Sequence, residues 1–342
     1  MNQHLNSIDR HFLIRLIGWS LLASILYAMA CAIILLTSLI LFQKGITPSL
    51  PWISNVQKHL YMESRNVWQA QPDCVVFDPN LIFRPKDGRC QFDNIEFQTE
   101  LSFSPEGRYT GGKPTGKGIV VIGDSHAMGW GVNDLDTFSA ELQRLSGRAV
   151  FNLAVSGYAT DRELMRLENS DLLNKVDIVV VQYCDNDLDE NLRFQNLSKE
   201  SAQRKFSVVS QLGGQPPALS GKLEYLKKAF QVTVKVPFIG IRSSLKLKKE
   251  EDYDFPQHYQ PFLDAVNRHG ALKSKRVIVF YSNGQGIKFK NFPAGKDQQL
   301  PNFEFVDMGL GRGDYYRMDD HLTRAGHMKI ARRLLTVIQS IP

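Results

Sequence analysis

Cysteine is scarce in this chain of 342 residues, which holds only Cys31, Cys74, Cys90 and Cys184. Four thiols so dispersed do not make a disulfide scaffold, and neither they nor the scattered histidines have the spacing of a metal cage. No metal or cofactor is expected. Internal repeats and low-complexity tracts are also missing, so nothing points to a solenoid or a tail of biased composition. A phosphate-binding loop is missing too, although Gly111, Gly116 and Lys117 have its spacing. Gly118 stands where Ser or Thr is required, and the segment precedes a strand instead of following one. It reads as a flexible linker. Acidic excess is absent as well: 41 Lys and Arg against 35 Asp and Glu give a formal charge of +6. Much of the surplus lies in 222–249, with Lys227, Lys228, Lys246, Lys248 and Lys249. A charge run is ordinarily solvated surface. No nucleic-acid partner is expected, while weak attraction to anionic lipid heads is.

Charge is missing altogether from residues 16–42, a run of 27 that exceeds the roughly 20 needed to span a bilayer. We read it as a transmembrane helix behind a short tail, 1–15. A cleaved signal peptide is the rival, since Ala28-Met29-Ala30 resembles a cleavage site. However, the twelve residues from Cys31 to Phe42 are all apolar or hydroxyl-bearing, and a mature protein would not start with that surface exposed. Lipid attachment at Cys31 fails for the same reason, and Ala28 sits where a lipoprotein signal usually has Leu. Arg10 and Arg15 precede the span and Lys44 follows it, so the short basic tail is expected in the cytoplasm. The expected location is the inner membrane, single-pass, with the rest of the chain periplasmic. A disulfide between Cys74 and Cys90, sixteen apart, would need that oxidising side. Four unpaired thiols is the alternative.

After the anchor, 43–117 is mixed in composition. Residues 52–68 are amphipathic, and 74–77, 82–83 and 92–103 are apolar enough for short strands that pack on the main domain. From Gly118 short apolar runs alternate with helical ones, the pattern of βαβ units around a parallel sheet. Strands are expected at 119–122, 149–153, 178–183, 276–281 and 303–306. Helices are expected at 137–145, capped by Asp136 or Thr137, from Thr160 or Asp161 to about 174, at 257–269 stopped by Gly270, and from about Thr323 to the end. The alternation breaks at 192–255, which is rich in Ser, Lys, Gln and Gly and is read as an insertion over the site, with a helical lid around 223–230. The main domain is then 118–342.

Four stretches fall at the carboxyl ends of expected strands, where open α/β sheets place their ligands. They are Gly-Asp-Ser at 123–125, Asn-Leu-Ala-Val-Ser-Gly at 152–157, Asp185-Asn186-Asp187 and Asp319-Asp320-His321. Acyl transfer needs a nucleophile, a base, a group to orient the base, and donors for an oxyanion. Ser125, His321 and Asp319 fit the first three roles. The Ser125 and Gly157 backbone N–H groups and the Asn186 side-chain amide fit the last. His126 is read as a positioned neighbour, His327 as a cap or packing residue, and Asp124, Asp187 and Asn191 as holders of their loops.

These blocks resemble the SGNH hydrolases, also called the GDSL family, over roughly 118–342. The match runs through Gly-Asp-Ser-x-x-x-Gly-x-Gly-Val, Asn-Leu-Ala-Val-Ser-Gly-Tyr-Ala-Thr-Asp and Asn-Asp-Leu-x-x-Asn. Carried over, the family's serine falls on Ser125, its oxyanion glycine on Gly157, its asparagine on Asn186 and its histidine on His321. The resemblance implies a flavodoxin-like three-layer α/β/α sandwich with a parallel sheet, here preceded by one transmembrane helix. The Gly-x-Ser-x-Gly elbow of the other large serine hydrolase fold is absent around Ser125.

Three departures stand out. Cys184 replaces the usual glycine of the third block. Met318 occupies the acid's usual place, three before the histidine, while Asp319 at two before matches branches that include polysaccharide O-acetyltransferases and acetylesterases. Asp320 is the fallback acid. His126 stands where the name-giving motif has Leu, as in acyltransferase-associated members. The expected activity is ester cleavage on O-acyl, above all O-acetyl, groups of a carbohydrate or envelope polymer. An O-acetyltransferase with the same site is the runner-up, then a lysophospholipase or thioesterase, then a silent binding domain with His321 turned away from Ser125.

Overall fold

The structure is a computed structural model that describes residues 5–46, 48, 50–112, 117–193, 199–211, 226–227, 229–235, 254–283 and 290–340. The chain divides into two units, Met1–Ser64 with Pro216–Lys248, and Arg65–Gln215 with Lys249–Pro342.

The first unit is helical. Helix α1 (Leu5–Gln43) contains His11–Gln43, long and apolar enough to cross a membrane. Phe12, Ile17, Trp19 and Leu21 along it are more than half exposed. So much uncovered apolar surface calls for a partner that is itself apolar. Helix α2 (Pro51–Ser64) packs against the Gln43 half of α1, with Val56 and Leu60 fully buried there beside Ala229.

The second unit is built on a sheet of nine strands. Its chain runs through β1 (Val75–Asp78), β2 (Ile82–Pro85), β3 (Gly88–Asn94), β4 (Phe97–Ser104), β5 (Gly107–Arg108) and β6 (Gly118–Ile122). Next come α3 (Ser125–Met128), α4 (Phe138–Ser146), β7 (Val150–Asn152), α5 (Thr160–Glu168), β8 (Val176–Tyr183), α6 (Asp187–Arg193) and α7 (Lys199–Gln211). It closes with α8 (Phe255–Arg268), β9 (Arg276–Tyr281), β10 (Gly295–Lys296), β11 (Phe303–Val306) and α9 (Arg324–Gln339).

Five strands are parallel, in the spatial order β7-β6-β8-β9-β11. In chain order that is 2-1-3-4-5, the flavodoxin-like arrangement. The all-apolar runs of β6 and β8 follow from burial on both faces. Ile119, Val121, Ile178, Val180, Ile278 and Phe280 face one way, onto Phe138 and Leu142 of α4 and Ile330 and Leu334 of α9. Val120, Ile122, Val179, Val181, Val277 and Val279 face the other way, onto Leu164 and Leu167 of α5 and Phe262 and Val266 of α8. The result is a three-layer α/β/α sandwich.

Residues before Gly118 extend this sheet. Strand β5 pairs antiparallel with β7 through Arg108 and Asn152, and β4 and β3 continue outward. A separate antiparallel hairpin, β1-β2, is tied to β3 by the disulfide Cys74–Cys90, whose Cα atoms lie 5.3 Å apart. Cys31 and Cys184 are free and buried.

Two sequence expectations need correction. Helix α5 has Ala159 as its N-cap, not Thr160 or Asp161, because both polar groups serve other elements. The Thr160 hydroxyl accepts from Asn191 at 3.2 Å, and the Asp161 carboxylate pairs with Arg268 at 2.7 Å. That helix also stops at Glu168, well short of 174, where Asn169 and Ser170 turn the chain. Most of the 192–255 insertion lies outside the described residues, including half of the lid expected around 223–230. Of its described parts, Phe206 of α7 meets Phe77 with ring centroids 5.5 Å apart, and 229–235 pack in the first unit.

The α4–α9 contact carries a titratable group. His327 is fully buried, stacks on Phe138 at 5.8 Å and accepts the Phe138 N–H on Nδ1 at 3.1 Å. Burial pushes its pKa down to about 3, so the folded state keeps the ring neutral, the form in which Nδ1 accepts. The unfolded ring takes up a proton near its ordinary pKa of about 6.5. The contribution of His327 is therefore complete above about pH 6.5 and is lost as pH falls toward 3. His327→Leu should lower the thermal midpoint at neutral pH by the equivalent of about 1–3 kcal/mol, because the Phe138 N–H loses its acceptor. It should also flatten the decline on the acid side. Circular dichroism melts across that range check both, and an unaltered slope in the variant would count against His327 as the source.

Candidate active site

All four sequence blocks converge at the carboxyl ends of the parallel strands. Strand β6 ends at Ile122, and Gly123 then turns the chain with φ +151°. A Cβ there would come within 2.7 Å of Ala127 Cβ and 2.8 Å of Gln182 Oε1, so only glycine fits. Asp124 caps α3 by accepting the His126 N–H at 2.8 Å. Gln182 Oε1, at the end of β8, accepts the N–H groups of Asp124 and Ala127 at 3.1 and 3.2 Å. Ser125 therefore opens α3 on a turn tied at both ends.

His321 Nε2 lies 2.7 Å from Ser125 Oγ. On the other side of the ring, Nδ1 hydrogen-bonds to Asp319 Oδ1, which also accepts the His321 backbone N–H at 3.1 Å. Asp319 is fully buried and its second oxygen accepts from Trp130 Nε1 at 3.1 Å. The Trp130 indole stacks on the imidazole at 4.6 Å and 13° between planes. Asp320, the fallback acid, lies in the wall of the adjoining cavity instead.

That cavity, about 330 Å³, is lined by Ser125, Gly157, Asn186 and His321 together with Arg65, Gln69, Asn283 and others. Gly157 sits at φ +80°, and a Cβ would meet the Gln69 amide at 2.6 Å. Among the described residues the Ser125 and Gly157 N–H groups donate no hydrogen bond. Both are therefore available to an oxygen in the cavity. A silent domain would have His321 turned away and no pocket; here His321 faces Ser125 beside one.

Neighbouring side chains brace these turns. Asn152 holds the Ala127 carbonyl at 2.9 Å and Ser139 Oγ at 2.8 Å. Asp187 accepts the Cys184 N–H at 3.2 Å. Burial pushes the Cys184 thiol up and the His126 imidazole well down, so one stays protonated and the other neutral. His126 Nδ1 is buried with no partner among the described residues, and its ring lies 4.9 Å from that of His321.

Sequence reasoning missed several contributors from 65–117. Arg108 of β5 is buried and donates to the carbonyls of Met128, Gly129 and Val132 at 2.6–2.7 Å, so it clamps the end of α3. Arg65 lies over the Trp130 ring at 5.7 Å. Glu96, in the turn between β3 and β4, accepts the backbone N–H groups of Arg317, Met318 and Asp319 at 2.7–2.9 Å. No signal marked Glu96, because its partners lie more than 220 positions away.

The Glu96 contacts fix the loop that delivers Asp319 and His321. Glu96→Gln offers one acceptor oxygen where the carboxylate offers two, so at least one of the three N–H groups loses its partner. Misplacing a reacting group by about 1 Å can cost on the order of 10² in rate. Esterase kinetics on Glu96→Gln should show kcat reduced by roughly that factor with KM little altered. A fall in kcat matched by an equal fall in the folded fraction, read by circular dichroism, would point to general unfolding instead.

The sequence matches no family model and no curated protein. The fold is similar to several solved structures. One is a putative lipolytic protein of the G-D-S-L family from Desulfitobacterium hafniense, at 11% identity and TM-score 0.32, covering 65% of this chain and 99% of that one. Another is a carbohydrate acetylesterase family member from Sinorhizobium meliloti, at 13% identity and TM-score 0.33, covering 66% and 98%. A third is a family two carbohydrate esterase from Clostridium thermocellum, at 13% identity and TM-score 0.35, covering 68% and 66%.

Proposed function

We propose that the second unit is a serine ester hydrolase acting on O-acyl groups, above all O-acetyl groups, of a carbohydrate or envelope polymer. The observation that carries this reading is the chain of contacts Ser125 Oγ, His321, Asp319 beside two unengaged N–H groups. In this reading Ser125 Oγ attacks the ester carbonyl carbon while His321 Nε2 takes the hydroxyl proton. Asp319 holds the Nδ1–H tautomer and stabilises the imidazolium. The carbonyl oxygen, now negative, is met by the N–H groups of Ser125 and Gly157 and by the Asn186 amide. Collapse expels the sugar alkoxide, which takes the proton back from His321 and leaves an acyl group on Ser125. Water repeats the sequence and releases the acid.

The cavity wall supports a small acyl group on a polar carrier. Apart from Val67, Trp130 and Cys184, the lining residues are polar or glycine. A fatty acyl chain would need a longer apolar groove, so the lysophospholipase reading loses ground. A sugar hydroxyl in place of water would make the same acyl-enzyme a transferase, which product analysis separates from hydrolysis. The setting we infer is a single-pass inner-membrane protein with this unit in the periplasm. It is supported by the apolar span and by the Cys74–Cys90 disulfide, a bond that persists in an oxidising compartment.

A fluorophosphonate probe should label the protein at Ser125, and labelling that persists in Ser125→Ala would sink the assignment. On acetylated sugars, Asn186→Ala should lose about 10² to 10³ in kcat. Ser125→Ala and His321→Ala should each cost nearly as much as the double variant, because the groups act as a unit.

A further inference from the structure

A second cavity of the catalytic unit, about 530 Å³, opens between the β1-β2 hairpin, the end of β4 and the far end of α5. It is larger than the one beside Ser125 and shares no lining residue with it. Arg162 stands between the two. It donates to the carbonyl of Gly157, in the wall of the first, and to that of Leu81, in the wall of the second, at 3.2 Å for Leu81. Arg166 follows one turn further along α5.

Two arginines line this second cavity, Arg84 of β2 and Arg166 of α5. Among the described residues neither guanidinium forms an ion pair. Arg166 Nε is moreover buried with no hydrogen-bond partner there. The Tyr158 phenol beside it donates its own hydroxyl to the Phe83 carbonyl. Burial pushes the Arg166 pKa down, yet an arginine keeps its charge. A cation held out of water without its anion is costly, and a ligand that brings the anion removes that cost. Two carboxylates in the wall do not fill the place. Asp78 Oδ1 accepts the N–H groups of Asn80 and Leu81 at 2.9 and 2.8 Å, and the exposed Asp87 acts on Arg166 through space without pairing.

The rest of the wall indicates what the anion is attached to. Asn80 and Asn169 present amides and Asp87 a carboxylate, while Leu81, Pro85, Pro105 and Leu153 present apolar surface. A bare inorganic anion would meet the arginines and leave most of the volume empty. A sugar ring carries hydroxyl groups at its edge and C–H groups on its faces, so it matches both kinds of wall, and the volume lies in the range of small-molecule sites. We propose that this cavity is a second carbohydrate site that takes an acidic sugar: the carboxylate or phosphate pairs with Arg166 and Arg84, and the hydroxyl groups meet Asn80, Asn169 and Asp87. The site stands apart from Ser125 and involves no turnover, so it goes beyond the proposed ester hydrolysis and does not rest on it.

The test is isothermal titration calorimetry on the full chain in detergent, with glucuronate, glucose 6-phosphate, glucose and formate as probes. Glucuronate or glucose 6-phosphate should bind roughly tenfold or more tighter than glucose and formate, and the tighter of the two names the anion. Arg166→Ala should weaken that binding by about tenfold or more, and Arg84→Ala, at an exposed position, should weaken it several-fold. Arg65→Ala, in the cavity beside Ser125, should leave it unchanged. Where Arg166→Ala does not fold, Arg84→Ala decides the matter. The site is overturned by lack of saturable binding of both acids, by glucose or formate binding as tightly, or by Arg65→Ala weakening the binding as much as the two cavity variants. Binding is read without catalysis, so an inert Ser125 would sink the proposed hydrolase and leave this result standing.

Discussion

The buried carboxylate of Asp319 is the constraint on which the rest of the site depends. An ionised group taken fully out of water costs several kcal/mol unless its lone pairs are met. Here they are met by the ring and backbone N–H of His321 and by the indole N–H of Trp130. Each of these partners has a second duty. The imidazole reaches on to Ser125, and Trp130 supplies the flat face against which the imidazole stacks. Satisfying the acid and aiming the base are therefore one structural requirement. That explains how a Ser-His-Asp arrangement survives with the acid two residues before the histidine, a spacing that forces both onto one tight turn.

That turn is held from outside the region the motifs cover. Glu96 takes three successive N–H groups of the turn, and its burial raises its own pKa, which the backbone donors partly offset. Arg108 does the corresponding work for α3, with three carbonyls and Asp134 around one buried guanidinium. Residues before Gly118 thus clamp the serine from one side and the acid from the other. They belong to the working part of the unit, for the same reason that β3, β4 and β5 belong to its sheet.

How legible this was in the sequence depended on the range of the contacts. The parallel strands showed because burial on both faces leaves unbroken apolar runs such as Ile119–Ile122, and β9 and β11 have the expected limits. Thr137 was readable as a cap because a cap acts three residues away. Ser125, Gly157, Asn186 and His321 could be grouped from the sequence because strand ends impose a common meeting place, and all four line one cavity. Glu96, Arg108 and Gln69 left no trace, since a hairpin glutamate looks the same whether it faces water or a loop more than two hundred residues on. The α5 boundary was misjudged through a related failure: Thr160 and Asp161 are good caps locally, but tertiary partners claimed both. The stretch around 223–230 read as a lid because an amphipathic stretch does not name the surface it will cover.

Beneath the serine lies a group of acids whose charge would oppose an oxyanion. Asp124, Glu163 and Asp187 are all buried, and neither Glu163 oxygen has a hydrogen-bond partner among the described residues. Burial, reinforced by their mutual repulsion, pushes Glu163 and Asp187 well above the usual carboxylate range and Asp124 to about 6. Because the folded state binds these protons more tightly than the unfolded chain, the stability they contribute is greatest in acid and declines as pH rises through the raised values. The shift favours the neutral form of Glu163 and Asp187. Each acid held in its neutral form removes a negative charge that would oppose an oxyanion beside the N–H groups of 125 and 157. A fold that buries three acids beneath one turn gives up some stability for that arrangement, which is the usual relation between a preorganised site and the scaffold that holds it.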